Sequence, residues 1–552
     1  MIMGKKKAML GLLLALCLTL SACGSSSKSM EGNDSPVESA QTGLDTSRFL
    51  RIIDESPDTV DPQCTSGYYN VALNVFDRLV EVHVDENGDS AIGPSLATDW
   101  TISDDGLSYT FTLREGVRFS NGAALTSSDV GYTLKRLLIH PESRNGDIAN
   151  QILGAKQLQS GETDRLEGFE VIDDTRFCIT LSEPYAAFLA CLSTPGASIL
   201  DEETTEAAGG RFGREADVTV GTGPFIFREW VKGERLVLVA NEDCWCGAPN
   251  CAGIEILNVS DPEACRLMFE EGTLDILDLE SLGDDAEYFI HGDIYQSMLR
   301  KGPRVGIAYV ALNASVAPLD DARVRKAMQL ALDRDKIMRV TCSGRGSVEN
   351  GILPRGLIGY NPELPEIPYD LEWAKRLLNN AGYEDGFELQ MTMPDTSNQS
   401  MRDLMNLLIF MWRRVGIYAR VSYVSEDEFM RMRTAGEIVC YSAVWSADFN
   451  DPDNFLYTFF GSETNTKRRS LCYGNASVME RVGEARSIVN DAERLAEYRD
   501  LEQTIIQQDA AWIPLYSRQH YFAVNNRVKG FRAAWNGWSS TRYSDVTVLD
   551  EE

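Results

Sequence analysis

Runs rich in β-branched and aromatic residues alternate with helical apolar stripes along the body of this chain, and that alternation restricts the fold to the α/β class. "YTFTL" (Tyr109 to Leu113), "RLVLVAN" (Arg235 to Asn241) and "FELQMTM" (Phe387 to Met393) read as strands. Between them, "LTSSDVGYTLKRLL" offers Ser and Thr caps with Asp129 in its first turn. "DARVRKAMQLALDRDKI" puts Val324, Ala327, Met328 and Ala331 on one helical face, and "YDLEWAKRLLNNAGY" does the same for Ala374, Leu377, Leu378 and Ala381, with Gly382 as a stop. A chain of 552 residues, 43% of them hydrophobic, can bury several cores.

The N-terminus is built differently. Lys5, Lys6 and Lys7 precede an apolar run from Ala8 to about Leu20 and the small residues Ser21 and Ala22, the anatomy of a secretory signal. The run is shorter than the roughly 20 apolar residues that span a bilayer. Leu20-Ser21-Ala22-Cys23 resembles a bacterial lipobox, which implies cleavage after residue 22 and a lipid on Cys23. Residues 24–45 are rich in Ser, Gly, Asn and Asp and read as a flexible tether. The expected location is the extracytoplasmic face of the cell membrane, reached through the lipid alone.

The formal net charge of −31 argues against nucleic acid and against a body that hugs anionic lipid. Ten cysteines remain once Cys17 and Cys23 are set aside, and in an exported chain disulfides are permitted, although spacing does not give their connectivity. Cys244, Cys246 and Cys251 form the tightest group, but no fourth zinc ligand is evident, so buried or paired thiols are expected rather than a metal. Asp448, Asn450, Asp451 and Asp453 lack the glycine and terminal glutamate of a calcium loop. No nucleophile elbow, His-Glu-x-x-His or phosphate loop is present, so no enzymatic activity and no cofactor are expected.

"LATDWTISDDGLSYTFTLREGVRFSNGAALTSSDVGYTLKRLL" (Leu96 to Leu138) resembles the signature region of the peptide-type solute-binding proteins of ABC importers, the oligopeptide- and dipeptide-binding family. "GTGPFIFREWVKGERLVLVANEDCW", "YVALNASVAPLDDARVRKAMQLALDRDKI", "YDLEWAKRLLNNAGY" and "WSADFNDPDNF" come next, in the family's order, so the resemblance runs from about Asp54 to the C-terminus. It implies a two-lobed clamshell with an extra inserted subdomain: lobe I from residues 46–72, 217–303 and 516–552, the insertion at 73–216, and lobe II at 304–515. It also implies a monomer that passes peptide ligands to ABC permease subunits.

A receptor for peptides of any sequence must grip what all peptides share, an ammonium, a carboxylate and a row of backbone donors and acceptors. Burying the ammonium calls for a carboxylate. The family places that acid in Trp445-Ser446-Ala447-Asp448, which assigns Asp448 to the ammonium, backbone groups at Trp445 and Ser446 to the peptide main chain, and the Trp445 indole to a side-chain pocket. For the ligand carboxylate the resemblance points near Asn398 in "MPDTSNQSMR", where dipeptide binders carry arginine; Arg402, four residues on, is the substitute. That departure favours oligopeptides. The alternatives are a clamshell for a non-peptide solute, such as a metal chelate or sugar, and an extracytoplasmic sensor or enzyme on the same scaffold.

Overall fold

The computed structural model describes residues 48–65, 69–85, 90–536 and 541–549; the signal, Cys23 and the tether lie outside the described residues. The chain from Thr46 on forms one compact unit. Its framework is a ten-stranded sheet running Cys440–Ser446, Gly306–Leu312, Trp512–Val524, Ile276–Asp278, Phe49–Ile53, Gly253–Leu257, Arg235–Ala240 and Phe225–Val231, with Leu299–Pro303 and Gly346–Val348 also paired to Trp512–Val524. Phe49–Ile53 is parallel to both of its neighbours, and the other described ladders of this sheet are antiparallel.

The strand Trp512–Val524 is 13 residues long, about 40 Å at the usual rise, and it belongs to more than one core. Its first half, with Trp512, Ile513, Leu515 and Tyr516, packs into a large apolar cluster that otherwise spans Val305 to Ala511. Its second half divides by the period of two. Phe522 and Val524 face a cluster with Leu50, Ile254 and Phe225, while Tyr521 and Ala523 face one with Phe269 and Phe289. A fourth cluster, from Leu79 to Val220, sits on a separate four-stranded sheet ordered Ala97–Ile102, Ser108–Leu113, Arg176–Thr180, Phe169–Asp173.

Two of the three sequence-predicted strands fall within Ser108–Leu113 and Phe387–Pro394, and the third is Arg235–Ala240, one residue short of the expected Asn241. The helix over 125–138 is Ser127–Ile139, with the Asp129 carboxylate accepting from the Thr126 amide at 2.8 Å. The stripe over 321–337 is two helices, Ala322–Leu330 and Arg334–Thr341. Asp333 breaks it, because its carboxylate accepts from the Lys336 amide and caps a new helix in place of continuing the old one.

Candidate ligand cavity

The strand Cys440–Ser446 ends the large sheet, and no described strand pairs with its outer edge. Ala447 donates to the Val305 carbonyl at 2.8 Å, and at the far end Asn313 donates to Val439 at 3.0 Å. The register keeps Trp445 opposite Ile307 and Ser446 opposite Gly306 without a bulge. Antiparallel alternation therefore aims the main-chain groups of residues 439, 441, 443, 445 and 447 at the partner strand and those of Val444 and Ser446 at the open edge. Gly306 permits the close approach: a Cβ there would lie 3.0 Å from Ser446 Oγ.

Two asparagines shape the chain just past the strand. Asn454, in the helix Asp453–Phe460, accepts from the Asp448 amide (3.1 Å) and the Trp445 indole (3.3 Å) through Oδ1, and donates to Asp448 Oδ2 through Nδ2 (3.0 Å). Asn536 replaces a ladder rung, its Oδ1 accepting from Val305 N–H (3.1 Å) and its Nδ2 donating to the Ala447 carbonyl (3.2 Å). Together they turn Ala447 and Asp448 into a cavity of about 820 Å³, whose wall also carries Tyr69, Arg144, Asp147, Arg532 and Trp535.

Asp448 is exposed to solvent within that cavity, yet the surrounding protein deprives it of bulk water. This desolvation raises its pKa above the ordinary aspartate value; the Asn454 amide opposes the rise, nearby Asp147 adds to it, and Arg469 opposes it. Among the described residues, neither Asp448 nor Arg532 has an ion-pair partner, whereas Arg542, on the same wall, is held by Asp77 (2.8 Å) and Glu81 (2.5 Å). Carboxylates and guanidiniums thus share one cavity, an arrangement suited to a ligand bearing both charges.

The other sequence-assigned residues lie elsewhere. Trp445 and Ser446 do not line the cavity. The Trp445 indole packs under Arg469 at 4.6 Å and edge-on to Phe459, and by the strand's alternation its main-chain groups serve the internal ladder, leaving Ser446 as the one of the two that faces outward. Arg402 is absent from the wall: it donates to the Ser397 and Asp395 carbonyls (3.0 and 2.9 Å) and stacks on Tyr423, while Asn398 caps the same helix. Asp451 and Asp453 are engaged by Arg494 and by Arg486 with Tyr185. Among the described residues, no three His, Cys, Asp or Glu converge as a metal site.

Residues 91–467 match the family model described as "Bacterial extracellular solute-binding proteins, family 5 Middle". The chain is 30% identical to "Heme-binding protein A" of Haemophilus influenzae over 94% of this chain and 95% of that one. It is 27% identical to the "Dipeptide-binding protein" of Escherichia coli, over 86% and 90%. Among solved structures, the unliganded open form of the periplasmic murein tripeptide-binding protein MppA superposes with a TM-score of 0.79 at 22% identity, covering 91% and 97% of the two chains. Among the described residues, no helix is long and apolar enough to cross a membrane. The sequence match and the shared α/β clamshell agree: the chain belongs to the bacterial extracellular solute-binding proteins of family 5.

Proposed function

We propose that this protein is a monomeric, lipid-anchored extracytoplasmic receptor that captures peptides, oligopeptides foremost, and delivers them to the permease of an ABC importer. The observation that carries this reading is Asp448, an acid without an ion-pair partner among the described residues, held on a cavity wall beside an open strand edge. An α-ammonium meets the acid, and the peptide main chain adds to the edge at Val444 and Ser446. Arg532, on the same wall, takes over from Arg402 as the candidate for the ligand carboxylate. The two lobes and the insertion keep the boundaries that the resemblance implies, with Trp512–Val524 as a crossing segment between lobes.

A metal chelate is the second reading. The name of the Haemophilus influenzae relative supports it, as do His83 and Tyr69 on the cavity wall, residue types that ligate iron. Native mass spectrometry of protein purified without refolding separates the two: the peptide reading expects a ladder of peptide masses released on denaturation. A single porphyrin mass with haem absorption would overturn it.

A further inference from the structure

Cys244-Trp245-Cys246-Gly247 forms a tight turn, closed by a hydrogen bond from Gly247 N–H to the Cys244 carbonyl at 2.9 Å, with Gly247 at φ +95°. The turn brings the Cys244 and Cys246 sulfurs to 2.6 Å, close to the bonded separation of about 2.05 Å. The two thiols are not equivalent. Cys244 is buried and Cys246 is exposed. Cys251, the third member of this sequence cluster, is buried in the core with Leu238 and Ile254. Trp245, between the two thiols, donates its indole N–H to Asp77 at 2.8 Å, and Asp77 also pairs with Arg542 on the cavity wall.

We propose that Cys244 and Cys246 are a reversible dithiol–disulfide couple in which Cys246 exchanges with an external disulfide and Cys244 resolves the intermediate. Thiol–disulfide exchange is available to a protein of an extracellular family. The Cys244 thiol donates toward Cys246 and, with Arg542 nearby, draws the Cys246 pKa below its ordinary value, while Cys244 is pushed up. Cys246 thiolate attacks one sulfur of an external disulfide, forming a mixed disulfide and expelling the first thiolate. Cys244 then loses its proton to water and attacks the Cys246 sulfur, expelling the second thiolate. The protein dithiol is oxidised by two electrons, the external disulfide is reduced to two thiols, and the protons released by the cysteines equal those taken up by the leaving groups. A bond spanning one intervening residue constrains the unfolded chain little, and its exposed sulfur places it among the labile disulfides.

The test is equilibration of the reduced native protein with excess oxidised glutathione, followed by acid quenching, alkylation of free thiols under denaturing conditions and peptide mapping. The expected result is a Cys244–Cys246 bond with Cys251 alkylated. Cys244→Ser should carry one glutathione on Cys246, and Cys246→Ser should leave Cys244 free of glutathione. Alkylation of both Cys244 and Cys246, a bond from either to Cys251, or glutathione on Cys244 in Cys246→Ser would overturn the proposal.

Discussion

The Asp448 carboxylate is short of both bulk water and a counter-charge, which raises its pKa in the ligand-free protein. A bound ammonium reverses this by favouring the ionised form. Below the raised pKa a ligand must first displace a proton, so affinity for a peptide with a free amino terminus falls as pH drops, by up to about tenfold per unit. The fall begins at a higher pH than an ordinary aspartate would impose. Above about pH 8 affinity falls again as the peptide's own α-amino group deprotonates. Calorimetric titrations across this range should show both limbs, and Asp448→Asn should lose the acid one. A native profile flat on the acid side contradicts the assignment. Only the motif around Asp448 singled it out in the sequence, since one aspartate in an acidic run is chemically anonymous, and the fold puts it on the cavity wall. Asn454 and Asn536 were not legible, because the atoms they hold are brought to them by folding. Arg402 lies off this cavity's wall for the same reason: proximity in sequence to the expected position says nothing about the wall on which a side chain ends.

At the scale of elements, strand and helix content could be read from periodicity, but sheet order could not. Cys440–Ser446 pairs with Gly306–Leu312 across more than a hundred residues, and nothing local marks it as an edge. The split at Asp333 is the converse case, a local cap that the apolar stripe concealed. The edge geometry makes an asymmetric prediction. Ser446→Pro removes an N–H aimed at the open side and leaves the internal ladder intact, so thermal stability should change little while peptide affinity falls by roughly five- to a hundredfold, the cost of about 1–3 kcal/mol for an unsatisfied ligand acceptor. Trp445→Pro removes a ladder donor and should lower Tm sharply. Thermal melts and calorimetry on the two variants check this. Equal losses of stability, or unchanged affinity in Ser446→Pro, contradict strand addition at this edge.

Across the whole molecule, one long strand contributes to three apolar cores, so the lobes proposed above would share a continuous segment. The anchoring proposed at Cys23 is independent of that machinery. Cys23→Ser should release the body from membranes or leave an unprocessed precursor, as membrane fractionation would reveal; a variant still lipid-labelled and membrane-bound refutes the anchor. The central claim, that Asp448 meets a peptide ammonium, is tested most directly by calorimetry on four combinations: native protein and Asp448→Ala, each with a free and an N-acetylated peptide. Removing one partner of a buried pair costs about 3–5 kcal/mol, so the mutation and the acetylation should each weaken binding by roughly two to four orders of magnitude. Combined, they should cost little more than either alone. Acetylation that harms both proteins equally, or neither, would contradict the account.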